Sequence, residues 1–183
     1  SFGQLGQGKN QNEGWAVHGV TPAHMGDNLP PINIPGTPTW TAVSAGDESV
    51  CAQAQDYTIH CWGKNEFGQL GLGDRRNRGA RLEDMENLWP IGIGEGTGVR
   101  QISVGTDHTC ILTLEQEVRC WGRNITGALG LGYNRTRGSS PEVLPRDTAP
   151  VDLGRNCRGC DTGQSCQERA QCLSTLCRNR QCV

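Results

Sequence analysis

The sequence predicts an all-β protein that contains blades of a β-propeller followed by a small disulfide-rich module. Three observations support this prediction. The chain repeats itself at a fixed offset, its 26 glycines and 9 prolines far outnumber its two phenylalanines and two tyrosines, and six of its ten cysteines lie between Cys157 and Cys182. A fixed period identifies an array of similar units before any single strand is assigned. Abundant glycine and proline indicate many turns and short strands.

The repeat aligns cysteines, tryptophans and glycines together, at an offset of 59 residues. Cys51 matches Cys110, and Cys61-Trp62-Gly63 matches Cys120-Trp121-Gly122. Residues 129–132 align with residues 70–73 at the same offset, whereas residues 67–71 align with residues 2–6 at an offset of 65. Agreement across several residue types predicts that the same unit is built more than once.

Apolar residues alternate within each unit, which is the pattern of half-buried strands. Alternating pairs occur at Ile32/Ile34, Ile91/Ile93 and Val151/Leu153. We therefore expect two full sets of four strands, over residues 31–63 and 90–122, and a lone strand over residues 151–153. Such units bury their faces on their neighbours in a propeller. The predicted organisation is a partial propeller over residues 1–154, with repeats at 1–63, 64–122 and 123–154, and a cysteine-rich module at 155–183.

The segment from Cys61 to Asp74 resembles the signature of regulator of chromosome condensation repeats. The segment from Ser103 to Cys110 resembles the strand pair that precedes that signature. The resemblance covers residues 1–154 and implies a propeller fold without implying an activity. Residues 25–30 look like a disulfide-bonded subtype found in secreted or surface proteins of algae and bacteria, among them the mastigoneme proteins of algal flagella.

The spacing of the cysteines inside the repeat is suited to disulfides across a hairpin. Cys51 and Cys61 lie ten residues apart around a turn-like segment, and Cys110 and Cys120 repeat that spacing. Facing residues of a hairpin can reach disulfide distance. The alternative is a zinc site formed by Cys51 and Cys61 with His60 or His108, but close cysteine pairs typical of zinc modules are missing. We predict one disulfide in each blade.

The C-terminal segment cannot form a core unaided, so its cysteines are predicted to be its framework. These are Cys157, Cys160, Cys166, Cys172, Cys177 and Cys182. Six cysteines allow fifteen pairings, and the sequence does not choose among them. A redox or zinc motif at Cys157-x-x-Cys160 is the alternative to a disulfide knot that caps the propeller or binds a neighbour.

Cysteine content also indicates the compartment. Ten cysteines favour an oxidising environment. The sequons at Asn124 and Asn134 predict N-linked glycans and support an extracellular or cell-surface location. With 17 basic and 19 acidic residues, the chain has no electrostatic footprint for nucleic acid. No apolar run approaches the length of a membrane span, and no cofactor is predicted.

No catalytic motif is found in the sequence, and we predict that the protein is not an enzyme. His108 follows Asp107, which invites a general-base interpretation, but the matching repeat lacks this histidine. The candidate interface residues lie in loops and are Trp15, Trp89, Arg75 and Arg76. Large aromatic residues and arginines favour protein contacts, whereas a solvated loop is the alternative for the arginines and a local packing role the alternative for Trp15.

Two classes of function fit these features. We expect a structural or assembly subunit of an extracellular glycoprotein structure, such as a surface filament or flagellar mastigoneme. Its blades and cysteine-rich tail would contact other subunits of a homo-oligomeric or polymeric assembly. The alternative is a secreted binding module or lectin that recognises a glycan or protein ligand.

Overall fold

The computed structural model describes residues 2–8, 21–22, 25–28, 31–36, 39–153, 177–178 and 181–182. The chain divides into two compact units, Ser1–Val151 and Asp152–Val183. The first contains strands β1 (Trp40–Ala45), β2 (Ser49–Ala54) and β3 (Ile59–Gly63), helix α1 (Leu82–Glu86), and strands β4 (Val99–Val104), β5 (His108–Thr113) and β6 (Val118–Gly122). No helix in these ranges is long and apolar enough to span a membrane.

The strands form two antiparallel sheets with the same construction. The first has the order β1-β2-β3 and the second the order β4-β5-β6. Cys51 lies opposite Cys61 in one and Cys110 opposite Cys120 in the other, and each first strand has an irregularity at its beginning. The all-β fold built of repeated antiparallel sheets is therefore confirmed, and both predicted blade disulfides are present.

Regular pairing extends over three strands in each sheet, one fewer than the sequence predicts. The segment with Ile91 contributes one backbone bond, from its N–H to the Ile59 carbonyl (2.8 Å), and Val151 bonds the Val118 carbonyl in the same way (2.7 Å). Both segments therefore flank the outer strand of the preceding sheet, and Val151 is the counterpart of Ile91 rather than a lone strand.

The main core lies between the two sheets. It joins Cys51, Ile59 and Cys61 of the first sheet to apolar residues of the second, among them Val99, Ile102, Ile111 and Trp121. Gln53 is buried in the same layer, where its side-chain amide donates to the Val99 carbonyl (2.6 Å). A buried amide with its donor satisfied costs little, and its geometry fixes how one sheet sits on the other.

A tryptophan in each sheet is held by a turn that comes before that sheet in the chain. The indole N–H of Trp62 donates to the Gln4 carbonyl (2.9 Å), and that of Trp121 donates to the Gln69 carbonyl (3.0 Å). Gly68, in the second of these turns, has a φ of 78° and packs directly against the backbone of residues 138–139. A side chain at Gly68 would occupy space that the backbone of residues 138–139 fills.

The second unit has two short strands among its described residues, β7 (Cys177–Arg178) and β8 (Gln181–Cys182), which pair antiparallel with Cys177 opposite Cys182. Cys157, Cys160, Cys166 and Cys172 lie outside the described residues. The disulfide pairing of the tail therefore stays a prediction.

Candidate protein-contact site

The connection between β3 and β4, residues 64–98, begins with a turn organised by Asn65. The Asn65 side-chain amide donates to the carbonyl and the carboxylate of Asp74 (both 3.0 Å), and its oxygen accepts from the Leu70 N–H (3.0 Å). Asp74 in turn binds the Arg78 guanidinium at 2.6 Å. The turn therefore presents Asp74 and Arg78 as a fixed ion pair.

Helix α1 follows and positions an exposed tryptophan. The N–H of Arg81, the residue before the helix, donates to the Asp84 carboxylate (3.1 Å), which caps the helix start. Met85 and Leu88 are 1% and 5% exposed and anchor the segment to the first sheet, whereas Trp89 is 75% exposed. Because its neighbour is buried, Trp89 projects from an anchored backbone.

Buried His60 contacts the backbone of Leu88, the residue before Trp89. Its Nδ1 lies 3.1 Å from the Leu88 carbonyl, and its ring meets the Trp40 ring edge-on at 5.7 Å between centroids. Burial lowers the pKa of His60 below its usual 6.5, although the bond to Leu88 opposes this shift. Since a carbonyl only accepts, the neutral imidazole carries its proton on Nδ1 and donates it to Leu88.

Trp89 forms one rim of a groove of about 390 Å³, which we call the Trp89 groove. Its walls include Asp74, Arg78, Leu144 and Arg146. The Arg146 backbone N–H donates to the Gly92 carbonyl (3.1 Å), and its side chain is half-exposed, with Nε 3.8 Å from the Asp147 carboxylate. The groove therefore combines an exposed indole with an accessible guanidinium.

A second depression of about 720 Å³ adjoins the Trp89 groove, and we call it the Gly92–Gly98 cleft. Pro90, Gly92 and Arg146 line both, so the two form one continuous surface. Tyr57 and Leu114 line the cleft and are 49% and 52% exposed. An indole, a phenol and a leucine exposed on one concave surface are typical of a binding site.

The structure places three predicted interface residues and leaves one undescribed. Trp89 lies in the site. Arg75 and Arg76 are exposed on the turn after Asp74 but do not line the groove or the cleft. Trp15 lies outside the described residues.

The Asp107 carboxylate does not orient His108, because it lies in a cluster of cations. It binds Arg123 at 3.0 Å and Lys64 at 3.5 Å. Lys64 also binds Glu48 at 2.7 Å, and this bond is the main reason why the pKa of Lys64 lies above its ordinary value. The cluster joins the two repeats, and among the described residues no group of three metal-ligating side chains occurs.

Asn124, one of the two predicted glycosylation sites, has a buried side chain with a structural role. Asn124 is 0% exposed, its side-chain amide donates to the carbonyls of Tyr133 (2.7 Å) and Arg135 (3.2 Å), and its oxygen accepts from the Leu129 N–H (3.0 Å). It performs the role of Asn65, its counterpart in the repeat. The signal was in the sequence, because both asparagines follow a Cys-Trp-Gly motif and one basic residue.

The sequence prediction missed Tyr57, Leu114 and Arg146. For two of them the repeat held a signal, since the residues that match Tyr57 and Leu114 are Gln116 and Gln55. An apolar side chain at a position where the other repeat carries glutamine indicates a position that faces solvent. Trp89 breaks the repeat in a similar way, because it precedes Pro90 where Ala149 precedes Pro150.

Comparisons with known proteins show what the repeated segment is similar to. Two models of the regulator of chromosome condensation (RCC1) repeat match residues 58–112 and 99–127. The ultraviolet-B receptor UVR8 of Arabidopsis thaliana is 35% identical over 92 residues, which are 50% of this chain and 19% of the receptor. The probable E3 ubiquitin-protein ligase HERC3 of Homo sapiens is 36% identical over 101 residues, 55% of this chain and 9% of the ligase.

The structure of human WBSCR16 aligns with a TM-score of 0.48 and 23% identity, over 68% of this chain and 28% of that one. Of the two curated relatives, UVR8 and HERC3, the chain spans a fifth or less of the length. The family models support the resemblance to regulator of chromosome condensation repeats over residues 58–127.

Proposed function

We propose that this chain is a non-catalytic protein-binding module, and that the Trp89 groove and the Gly92–Gly98 cleft form its contact surface. The observation that carries the proposal is Trp89, three-quarters exposed although its backbone is anchored by buried Leu88 and Met85. Fixed aromatic side chains lose little entropy on binding, and tryptophan, tyrosine and arginine dominate the energetics of protein interfaces.

The surface also indicates the chemistry of a partner. Trp89, Tyr57 and Leu114 offer apolar contact area, and Arg146 lies where the two depressions meet. A partner that inserts an apolar side chain beside a carboxylate fits this arrangement, because Arg146 can bind a carboxylate through two N–H groups.

We further propose that the module works outside the cell, as a contact-making part of a surface assembly such as a filament or mastigoneme, with further copies of the protein as partners. Two disulfides within the sheets support this placement, since such bonds persist in oxidising compartments. A secreted lectin is the second candidate, favoured by Tyr57 in a cleft that also contains Asp56 and Glu95.

Self-association tests the contact surface. We expect sedimentation equilibrium of the full chain to show a reversible oligomer, and Trp89→Ser or Arg146→Ala to weaken it about tenfold or more, the effect of losing a central interface residue. Ile125→Ser is the matched control, because Ile125 is 56% exposed and lines neither depression.

Two results would contradict the proposal. One is a wild-type chain that stays monomeric at high concentration, and the other is an oligomer that Trp89→Ser leaves intact. Glycan binding that Tyr57→Ala abolishes and Trp89→Ser preserves would favour the lectin instead.

A further inference from the structure

Two sequons lie ten residues apart, and the structure gives them opposite environments. The Asn124 side chain is fully buried, whereas Asn134 is exposed on the turn after residues 129–132. An N-linked glycan is bulky and hydrated, so the folded protein can accommodate it only where the asparagine side chain reaches the surface. The Asn124 amide is engaged by two carbonyls, so a glycan there is incompatible with this fold.

The buried asparagine shapes the loop that carries the exposed one. The carbonyls that Asn124 binds belong to Tyr133 and Arg135, which flank Asn134 on both sides. The Arg137 guanidinium lies over the Tyr133 ring (5.1 Å) and donates to its hydroxyl (2.9 and 2.7 Å). The backbone is thus held on both sides of Asn134 while its side chain faces solvent.

We infer that Asn134 is the single N-glycan acceptor of this pair. Asn124 carries no glycan and instead holds the backbone in the conformation that exposes Asn134. In the transfer, a bond forms between Asn134 Nδ2 and the anomeric carbon of a diphosphate-linked oligosaccharide. The bond from that carbon to the diphosphate oxygen breaks, the diphosphate leaves with the electron pair, and the amide loses one proton. The inference rests on the extracellular placement proposed above, because that donor is met on the secretory route.

The glycan makes the two repeats unequal. At the offset of 59 residues Asn134 matches Arg75, and Arg135 matches Arg76. The turn with Arg75 therefore presents an arginine at the position where the turn with Asn134 presents a bulky, hydrated sugar. The turn with Asn134 is shielded from protein contact, whereas the Trp89 groove remains open.

The test is secretion of the full chain from eukaryotic cells behind an added signal peptide, followed by glycosidase treatment and glycopeptide mapping. We expect one glycan, on Asn134. Asn134→Gln should remove it completely. Thr126→Ala should leave it unchanged, because Thr126 is exposed and its loss destroys the first sequon without disturbing buried Asn124.

Asn124→Gln provides the second readout. We expect this variant to be secreted poorly while its Asn134 sequon stays intact, because the bonds to Tyr133, Arg135 and Leu129 are lost. A glycan on Asn124 in the secreted protein, or a bare Asn134, would overturn the inference. Neither result bears on self-association, which can be measured again on unglycosylated Asn134→Gln protein, so failure of the glycan site and failure of the contact surface are distinguishable.

Discussion

His60 illustrates how one buried side chain links the core to the contact surface. It lies on β3, is 6% exposed, and donates to the Leu88 carbonyl next to Trp89. The bond persists in either protonation state, because Nδ1–H donates in both, so the cost of protonation comes from burial. Protonation would place a charge in a buried site beside Trp40, and the Leu88 carbonyl and the Asp56 carboxylate offset only part of that cost.

The pKa of His60 therefore predicts a loss of stability in mild acid. Burial lowers the folded-state pKa below 6.5, so the unfolded chain binds the proton first as pH falls. The contribution of neutral His60 is fully present above about pH 6.5 and is lost as pH falls toward the folded-state pKa. We expect the free energy of unfolding to decrease over that interval and His60→Gln to flatten the curve.

Denaturant titrations at several pH values measure this effect. Ile59→Val serves as the control, because it perturbs the adjacent buried residue without a titrating group and should retain the wild-type pH dependence. Equal pH dependence in wild type and His60→Gln would show that His60 does not control acid stability.

At the scale of elements, the contacts between consecutive repeats are made by glycine-containing turns. Gly68 and Gly127 hold the same position in the two repeats and have the same backbone conformation, with φ of 78° and 77°. A Cβ at Gly68 would meet the backbone of residues 138–139, whereas a Cβ at Gly127 would meet nothing within 4 Å. Substitutions at Gly68 and Gly127 can therefore distinguish the strain of the backbone conformation from the effect of packing.

Alanine at these two positions should have unequal effects on stability. Gly127→Ala is expected to cost about 1 to 2 kcal/mol, the penalty of the left-handed conformation for a residue with a Cβ. Gly68→Ala should cost a further ~1 to 3 kcal/mol, because the backbone of the next turn must move. Urea denaturation of both variants measures the difference, and equal losses would mean that the turn does not pack as described.

How far the sequence predicts these elements depends on how local their causes are. The disulfides and hairpins follow from the repeat, because Cys51 and Cys61 face each other across one short turn. The fourth strand does not, since alternating residues such as Ile91 and Ile93 are apolar for contact with the core rather than for strand pairing. The Gly92–Gly98 cleft escapes prediction because Tyr57, Leu114 and Arg146 come from three separate turns.

At the scale of the whole first unit, two hydrogen bonds connect the two sheets directly. Gln53 donates to the Val99 carbonyl, and the Val104 N–H donates to the Ser44 hydroxyl (3.0 Å). The Thr109 hydroxyl of β5 also donates to the Gln69 carbonyl (2.9 Å) in the turn that follows β3. The Lys64–Asp107 ion pair adds a link at the surface. In repeat proteins such contacts between neighbours, added to the stability of each unit, decide whether units unfold separately or together.

We expect the two sheets to unfold as one cooperative unit. Hydrogen exchange measured by mass spectrometry should give the slowest amides of β2 and β5 the same free energy of opening, because neither sheet can expose its inner face while the other stays folded. Gln53→Ala removes a bond between the sheets and should lower both values equally, whereas exposed Gln55→Ala should change neither. If the free energy of opening decreased only in β2, each sheet would be stable alone. Contact with the neighbouring sheet would then add stability without being required for folding.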